Sequence, residues 1–120
     1  MERMAAVSTL LSSRRFVWSN ESMLQRGIYQ TLLEAGHVVQ REKRLSRKDR
    51  PDFMLEGGVY VEVKVDGSLT SVMRQLSRYA EQPSVSAIVL VTTRAAQAAR
   101  VPTEFSGKPV RVVLLAGAFA

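Results

Sequence analysis

The chain has 120 residues, 46% of them apolar, which suits one domain with one modest core. Seventeen Lys and Arg against eleven Asp and Glu give +6, the electrostatic footprint of a polyanion binder, although a basic surface can also serve solubility alone. The absence of cysteine excludes disulfides and thiolate metal sites, and the single histidine, His37, excludes two-histidine metal motifs.

Residues 1–18 are expected to form an N-terminal arm, with a short helix near Ala5–Ser12 and Trp18 packing it against the domain of residues 19–120. Its composition faintly imitates a targeting peptide, but the apolar run is short and no cleavage site follows. Nor does any segment reach the roughly 18 apolar residues of a membrane span, so the expected compartment is the cytoplasm.

Ser19 and Asn20 are N-cap residue types, and Leu24, Ile28, Leu32 and Ala35 then recur at helical spacing up to Gly36. Glu21 extends this stripe backwards, so an acid begins the inward face. An acid in a first helical turn is also favoured by the helix dipole alone. HVVQREKRLS predicts a strand that turns polar. PDFMLE and VYVEVKV predict a hairpin around Gly57-Gly58. Next, Leu69, Val72, Met73, Leu76 and Ala80 mark one face of a second helix, which Pro83 ends. SAIVLVTT is a nearly unbroken apolar strand, as expected of a central strand covered on both faces. RAAQAAR is short and helical, PTEFSGKP is loop, and VRVVLLA is a last strand.

The hairpin has charges where packing is expected. In Val59–Val65 the valines share one face, while Tyr60, Glu62 and Lys64 share the other. If that second face meets solvent, Glu62 and Lys64 form only a weak surface pair. The partner of Asp52 depends on register. A two-residue turn at Gly57-Gly58 places it opposite Val63, whereas a three-residue connection, Glu56-Gly57-Gly58, places it opposite Glu62. Glycine permits either connection. In the second register two carboxylates face each other at roughly 5 Å and repel. A hard divalent cation compensates such a pair, because Mg²⁺ binds through one or two carboxylates and keeps waters for phosphate.

Pro51-Asp52 followed by Glu62-Val63-Lys64 resembles the P-D…E-x-K motif of the PD-(D/E)XK nucleases. Glu21 resembles the acid that many members place on the first helix, and Gln75 with Tyr79 resembles the Q-x-x-x-Y signature of one branch. The resemblance spans about residues 19–93. It implies an α/β fold with a restriction-endonuclease-like core in αβββαβ order: a mixed central sheet flanked by helices, here with an extra C-terminal strand.

By the same resemblance the activity is Mg²⁺- or Mn²⁺-dependent hydrolysis of DNA phosphodiesters. Asp52, Glu62 and the carbonyl of Val63 would hold the metal, with Glu21 touching it directly or through water. Lys64 would orient the attacking water. Gln75 would support the site or touch the DNA backbone, and Tyr79 would help to hold it.

The run 41–50 has six basic and two acidic residues and leads straight into Asp52, so Arg44, Arg47, Lys48 and Arg50 are candidate phosphate contacts. Arg74 and Arg78, four apart on the second helix, form another such row. His37 has nothing beside it that suggests a base and is expected to be structural. No recognition-helix signature appears. Specificity is therefore expected to come from DNA shape: a homodimer acting on branched, junction or duplex DNA, in the manner of a small phage-type resolvase. The alternatives are a nickase or end-processing nuclease in a larger complex, or a non-catalytic nucleic-acid binder.

Overall fold

A computed structural model describes residues 2–115. In chain order the elements are α1 (Glu2–Ser13), α2 (Glu21–Glu34), β1 (Val39–Arg41), β2 (Phe53–Leu55), β3 (Val59–Lys64), α3 (Leu69–Ala80), β4 (Ala87–Thr92), α4 (Ala95–Arg100), β5 (Glu104–Phe105) and β6 (Lys108–Leu114). The strands form one mixed six-stranded sheet in the order β1-β2-β3-β4-β6-β5. β3, β4 and β6 run parallel, and β1, β2 and β5 pair antiparallel to their neighbours. This is the α/β class expected, with helices on both faces of the sheet.

Alternation along β3 and β4 builds two cores from one sheet. Val59, Val61, Val63, Val89 and Val91 pack with Met4, Val7 and Leu11 of α1 and with Leu24, Ile28 and Leu32 of α2. On the other face Tyr60, Ile88 and Leu90 pack with Val72, Leu76, Tyr79 and Ala80 of α3, and with Val101 after α4. All six residues of β4 are buried, as a parallel strand flanked on both edges and covered on both faces requires.

Several expectations are corrected here. The short helix expected in the N-terminal arm is present but longer, Glu2–Ser13 rather than Ala5–Ser12, with Val7 and Leu11 fully buried and α1 lying on β4 and β6. Trp18 is buried in the same core, and Gly27 leaves room for the ring of Phe16, which a Cβ there would meet at 3.2 Å. The first strand is only three residues long. It lies at the sheet edge, and Glu42 breaks it with a positive φ of 53° before the 42–50 loop folds back on itself. The segment PTEFSGKP is not all loop. Ser106 and Gly107 both have positive φ and connect β5 to β6 in a two-residue turn of the hairpin-forming kind. Of the predicted last strand, Ala116 lies outside the described residues. Among the described residues no helix is long and apolar enough to cross a membrane.

Candidate functional site

The β2–β3 hairpin has the three-residue connection. Leu55 pairs with Val59, Met54 with Tyr60 and Phe53 with Val61, so the next position outward sets Asp52 against Glu62. Gly57 and Gly58 have φ values of 82° and 75°. Gly58 is further fixed by its surroundings. Its carbonyl accepts from the Ser86 and Ala87 N–H groups, and a Cβ there would come within 2.7 Å of the Ser84 carbonyl oxygen.

In this register the two acids are tied together by backbone donors. The Asp52 N–H donates to Glu62 Oε1 at 3.1 Å, and the Val63 N–H donates to Asp52 Oδ2 at 2.7 Å. Glu62 is 3% exposed, so the second face of β3 does not meet solvent. Its Oε2 accepts from the Tyr79 hydroxyl at 3.2 Å and lies 3.3 Å from Lys64 Nζ. Lys64 is therefore the counter-charge of Glu62, in a partly buried pair rather than a surface one.

Glu21 reaches the cluster from α2. Asn20 caps that helix by accepting from the Met23 N–H, which sets Glu21 in the first turn. Glu21 Oε1 accepts from the Val65 N–H at 3.2 Å, just past the end of β3. Gln25, one turn further along α2, donates to Asp52 Oδ1 at 3.0 Å and approaches Glu21 Oε2 at 3.5 Å. Sequence reasoning missed Gln25. The available signal was its i+4 spacing from Glu21, which puts both on one helix face.

Electrostatics follow from this crowding. The Asp52 carboxyl is pushed up from 3.8 to about 7, chiefly by burial and then by the charge of Glu62; the Val63 N–H opposes the shift. Glu62 is also raised by burial, with Lys64 the largest opposing influence. The Tyr79 hydroxyl is raised too, by burial and by the Glu62 charge, so it stays a proton donor.

A half-buried Asp52 beside a buried Glu62, each carboxylate accepting from a backbone N–H of the facing strand and with one ammonium 3.3 Å from Glu62, forms a hard-oxygen donor set short of positive charge. That chemistry fits Mg²⁺ or Mn²⁺, which bind through one or two carboxylates and retain water. No group of three or more His, Cys, Asp or Glu arranged to hold a metal occurs among the described residues. Asp52 and Glu62 form the centre of the cluster, and Glu21 is joined to it through Gln25 while its other oxygen accepts from the Val65 N–H.

The remaining predicted residues separate into two groups. Lys64, Arg74, Gln75 and Arg78 line one cleft of about 360 Å³ beside the carboxylates. Gln75 borders that cleft rather than bonding to Asp52 or Glu62. The basic loop is different. Arg44 donates to the Arg47 carbonyl, and Arg50 lies 3.6 Å from Glu42, both exposed. Arg78 has a second partner that the sequence did not suggest: its Nε donates to Asp49 Oδ1 at 2.9 Å, and Asp49 is 3% exposed. Asp49 also accepts from the Ser46 hydroxyl, and its carbonyl takes the Leu45 N–H. The 42–50 loop, including Lys48, is thereby fastened to α3. His37 lies 3.4 Å from Glu56, whose other oxygen accepts from the Val38 N–H, a structural role at the hairpin turn.

No protein-family model matches the chain, and no curated protein matches it. Among solved structures, it is similar to a CdiA-CT/CdiI toxin and immunity complex from Burkholderia pseudomallei, with 18% identity and a TM-score of 0.37. The match covers 80% of this chain and 83% of that one. These comparisons do not return the PD-(D/E)XK nucleases, and that assignment is corrected: the chain is not placed in that family. P-D and E-x-K are a dipeptide and a tripeptide, and Q-x-x-x-Y fixes two residues on a helix.

Proposed function

We propose that the protein is a divalent-metal-dependent phosphodiesterase acting on DNA, an endonuclease selective for branched or junction structures. One observation supports this above others. Asp52 and Glu62 are held side by side where burial raises the pKa of both, with Lys64 as the cation paired to Glu62. As packing, this arrangement is unfavourable, since opposed like charges and buried carboxylates both cost stability. As chemistry at phosphorus, it has the parts required.

Asp52, Glu62 and the Val63 carbonyl would hold Mg²⁺ or Mn²⁺, which supplies Lewis acidity and a water of lowered pKa. The chain's own groups do the rest. Lys64 stands between the acids and the cationic cleft, where it orients water and neutralises charge building on phosphorus. Tyr79, fixed as a donor, keeps Glu62 from rotating away. Gln25 holds Asp52 in the same manner from α2. Arg74 and Arg78 line the cleft that leads to Lys64 and set a path for backbone phosphates. A homodimer presenting two such sites would cut both strands at a branch.

The test is incubation with supercoiled plasmid, linear duplex and a four-way junction in Mg²⁺, Mn²⁺ or EDTA. Cleavage is expected with metal only, the junction being cut fastest. Asp52→Ala and Lys64→Ala should each lower the rate by about 100-fold or more, the scale of losing a positioned catalytic group. Failure to cut any substrate with metal, or cutting by either variant at the parent rate, refutes the reading.

A further inference from the structure

Helix α3 borders two adjoining clefts. The first, described above, contains Lys64 and is polar. The second, of about 530 Å³, is floored by Met73 and Phe105 and shares Thr70, Arg74 and Arg78 with the first. Neither Met73 nor Phe105 takes part in the carboxylate cluster. Both are only partly buried against the core on that side of the sheet. Phe105 is the last residue of β5, and the tight Ser106-Gly107 turn that follows fixes it there.

We propose that the second cleft is a stacking subsite for an unpaired nucleobase of the strand whose phosphates run past Lys64, Arg74 and Arg78. The proposal rests on the reading of the substrate as nucleic acid and goes further, naming an unpaired nucleotide as the feature recognised. The occupant follows from how apolar and charged groups are arranged. A nucleobase has a flat apolar face for Phe105 and Met73, and it arrives attached to an anionic backbone that matches Arg74, the Arg78 guanidinium being shared with Asp49. An apolar side chain from a partner would cover Phe105 and Met73 but leave Arg74 without a counter-charge. A paired base cannot enter, because both its faces are stacked within the duplex, and extruding it costs a few kcal/mol. Unpaired nucleotides are already available at flaps and forks, so among branched substrates the cleft favours those with a single-stranded arm over a fully paired junction.

Binding in EDTA separates this subsite from the hydrolytic chemistry. Fluorescence anisotropy would be measured with a labelled oligothymidylate and with a hairpin duplex of equal phosphate number. The proteins compared are the parent, Phe105→Leu and Phe105→Trp, each checked for a parent-like thermal melt and gel-filtration volume. Leucine keeps the contact with the core but removes the stacking ring; tryptophan keeps a ring. Phe105→Leu is expected to weaken single-strand binding about tenfold, the scale of one lost base stack, with duplex binding unchanged and Phe105→Trp binding like the parent. Equal binding of single strand by Phe105→Leu and parent overturns the subsite. So does an equal loss on single strand and duplex, or a change confined to oligomeric state. If this pattern holds but no metal supports cleavage, the subsite stands and the hydrolytic reading fails. If cleavage holds and Phe105→Leu binds as the parent does, the reverse is true.

Discussion

Replacing Asp52 with Asn should stabilise the metal-free protein, by an amount that depends on pH. The folded-state carboxyl titrates near 7, against 3.8 for the free side chain. Below 3.8 both states bind the proton and the group contributes nothing. Between 3.8 and 7 the unfolded chain releases it while the native state keeps it, so stability falls as pH rises, by about 1.4 kcal/mol per unit. Above 7 the loss levels off, and the full difference of about three units corresponds to a ceiling of about 4 kcal/mol. Asparagine does not titrate, and its carbonyl oxygen can still accept from the Val63 N–H, while Gln25 can turn its own carbonyl to the new amide. The gain of Asp52→Asn over the parent should therefore be larger at pH 8 than at pH 4.5, by about 3 kcal/mol. For a chain of this size that corresponds to about 10 °C in Tm. Thermal melts of both proteins in EDTA at pH 4.5, 6.5 and 8 measure it; carboxylates remote from the pair cancel in the difference, so it reads the Asp52–Glu62 pair as a unit. Excess Mg²⁺ at pH 8 should raise the Tm of the parent and leave the variant nearly unmoved, since a ligand stabilises only the state that binds it. A variant no more stable than the parent at pH 8, or a gain equal at all three pH values, would refute the claim that Asp52 bears a buried like-charge penalty.

Three further outcomes follow from the same geometry. Gly58→Ala should cost about 3 kcal/mol or more: the positive φ alone accounts for about 1 kcal/mol, and the new Cβ meets the Ser84 carbonyl oxygen at 2.7 Å. Chemical denaturation gives the cost, and any surviving folded protein should have lost activity with the register. Arg78→Ala should destabilise by about 1–3 kcal/mol by leaving buried Asp49 without its guanidinium, whereas Arg74→Ala should leave the unfolding free energy from urea titration within about 0.5 kcal/mol of the parent. Arg74→Ala should instead flatten the dependence of log K for duplex binding on log salt by about 0.9, one phosphate contact. Tyr79→Phe should cost about 1 kcal/mol, by removing the donor to Glu62 within an otherwise unchanged core, and should lower the cleavage rate without changing DNA binding in EDTA.

The elements legible in the sequence were those whose local pattern and tertiary environment agree. SAIVLVTT is apolar on both faces because β4 is covered on both, and the α2 and α3 stripes are the faces those helices bury. The hairpin register was only half legible. Two glycines permit a two- or three-residue connection, and local turn chemistry does not choose between them. The bonds from Ser86 and Ala87 to the Gly58 carbonyl favour one, and they come from nearly thirty residues away. The short helix of the N-terminal arm was legible in the same way: Met4, Val7 and Leu11 have helical spacing, and they are the residues α1 buries.

The site itself divides along the same line. Asp52, Glu62 and Lys64 stood out because charge in a strand pattern contradicts packing, and such contradictions concentrate where function is maintained at the expense of stability. Gln25 and Asp49 did not stand out, since a glutamine on a helix and an aspartate in a charged loop contradict nothing. Their roles depend on long-range approach: Gln25 spans 27 residues to Asp52, and Asp49 spans 29 to Arg78. Asp49 also changes how the basic run should be understood. Six cations in ten residues suggest a loose phosphate-binding loop, yet one buried acid fastens that loop to the helix that lines the cationic cleft. The loop and α3 thus form a single surface, and a substrate contacting the arginines of one should respond to substitutions that loosen the other.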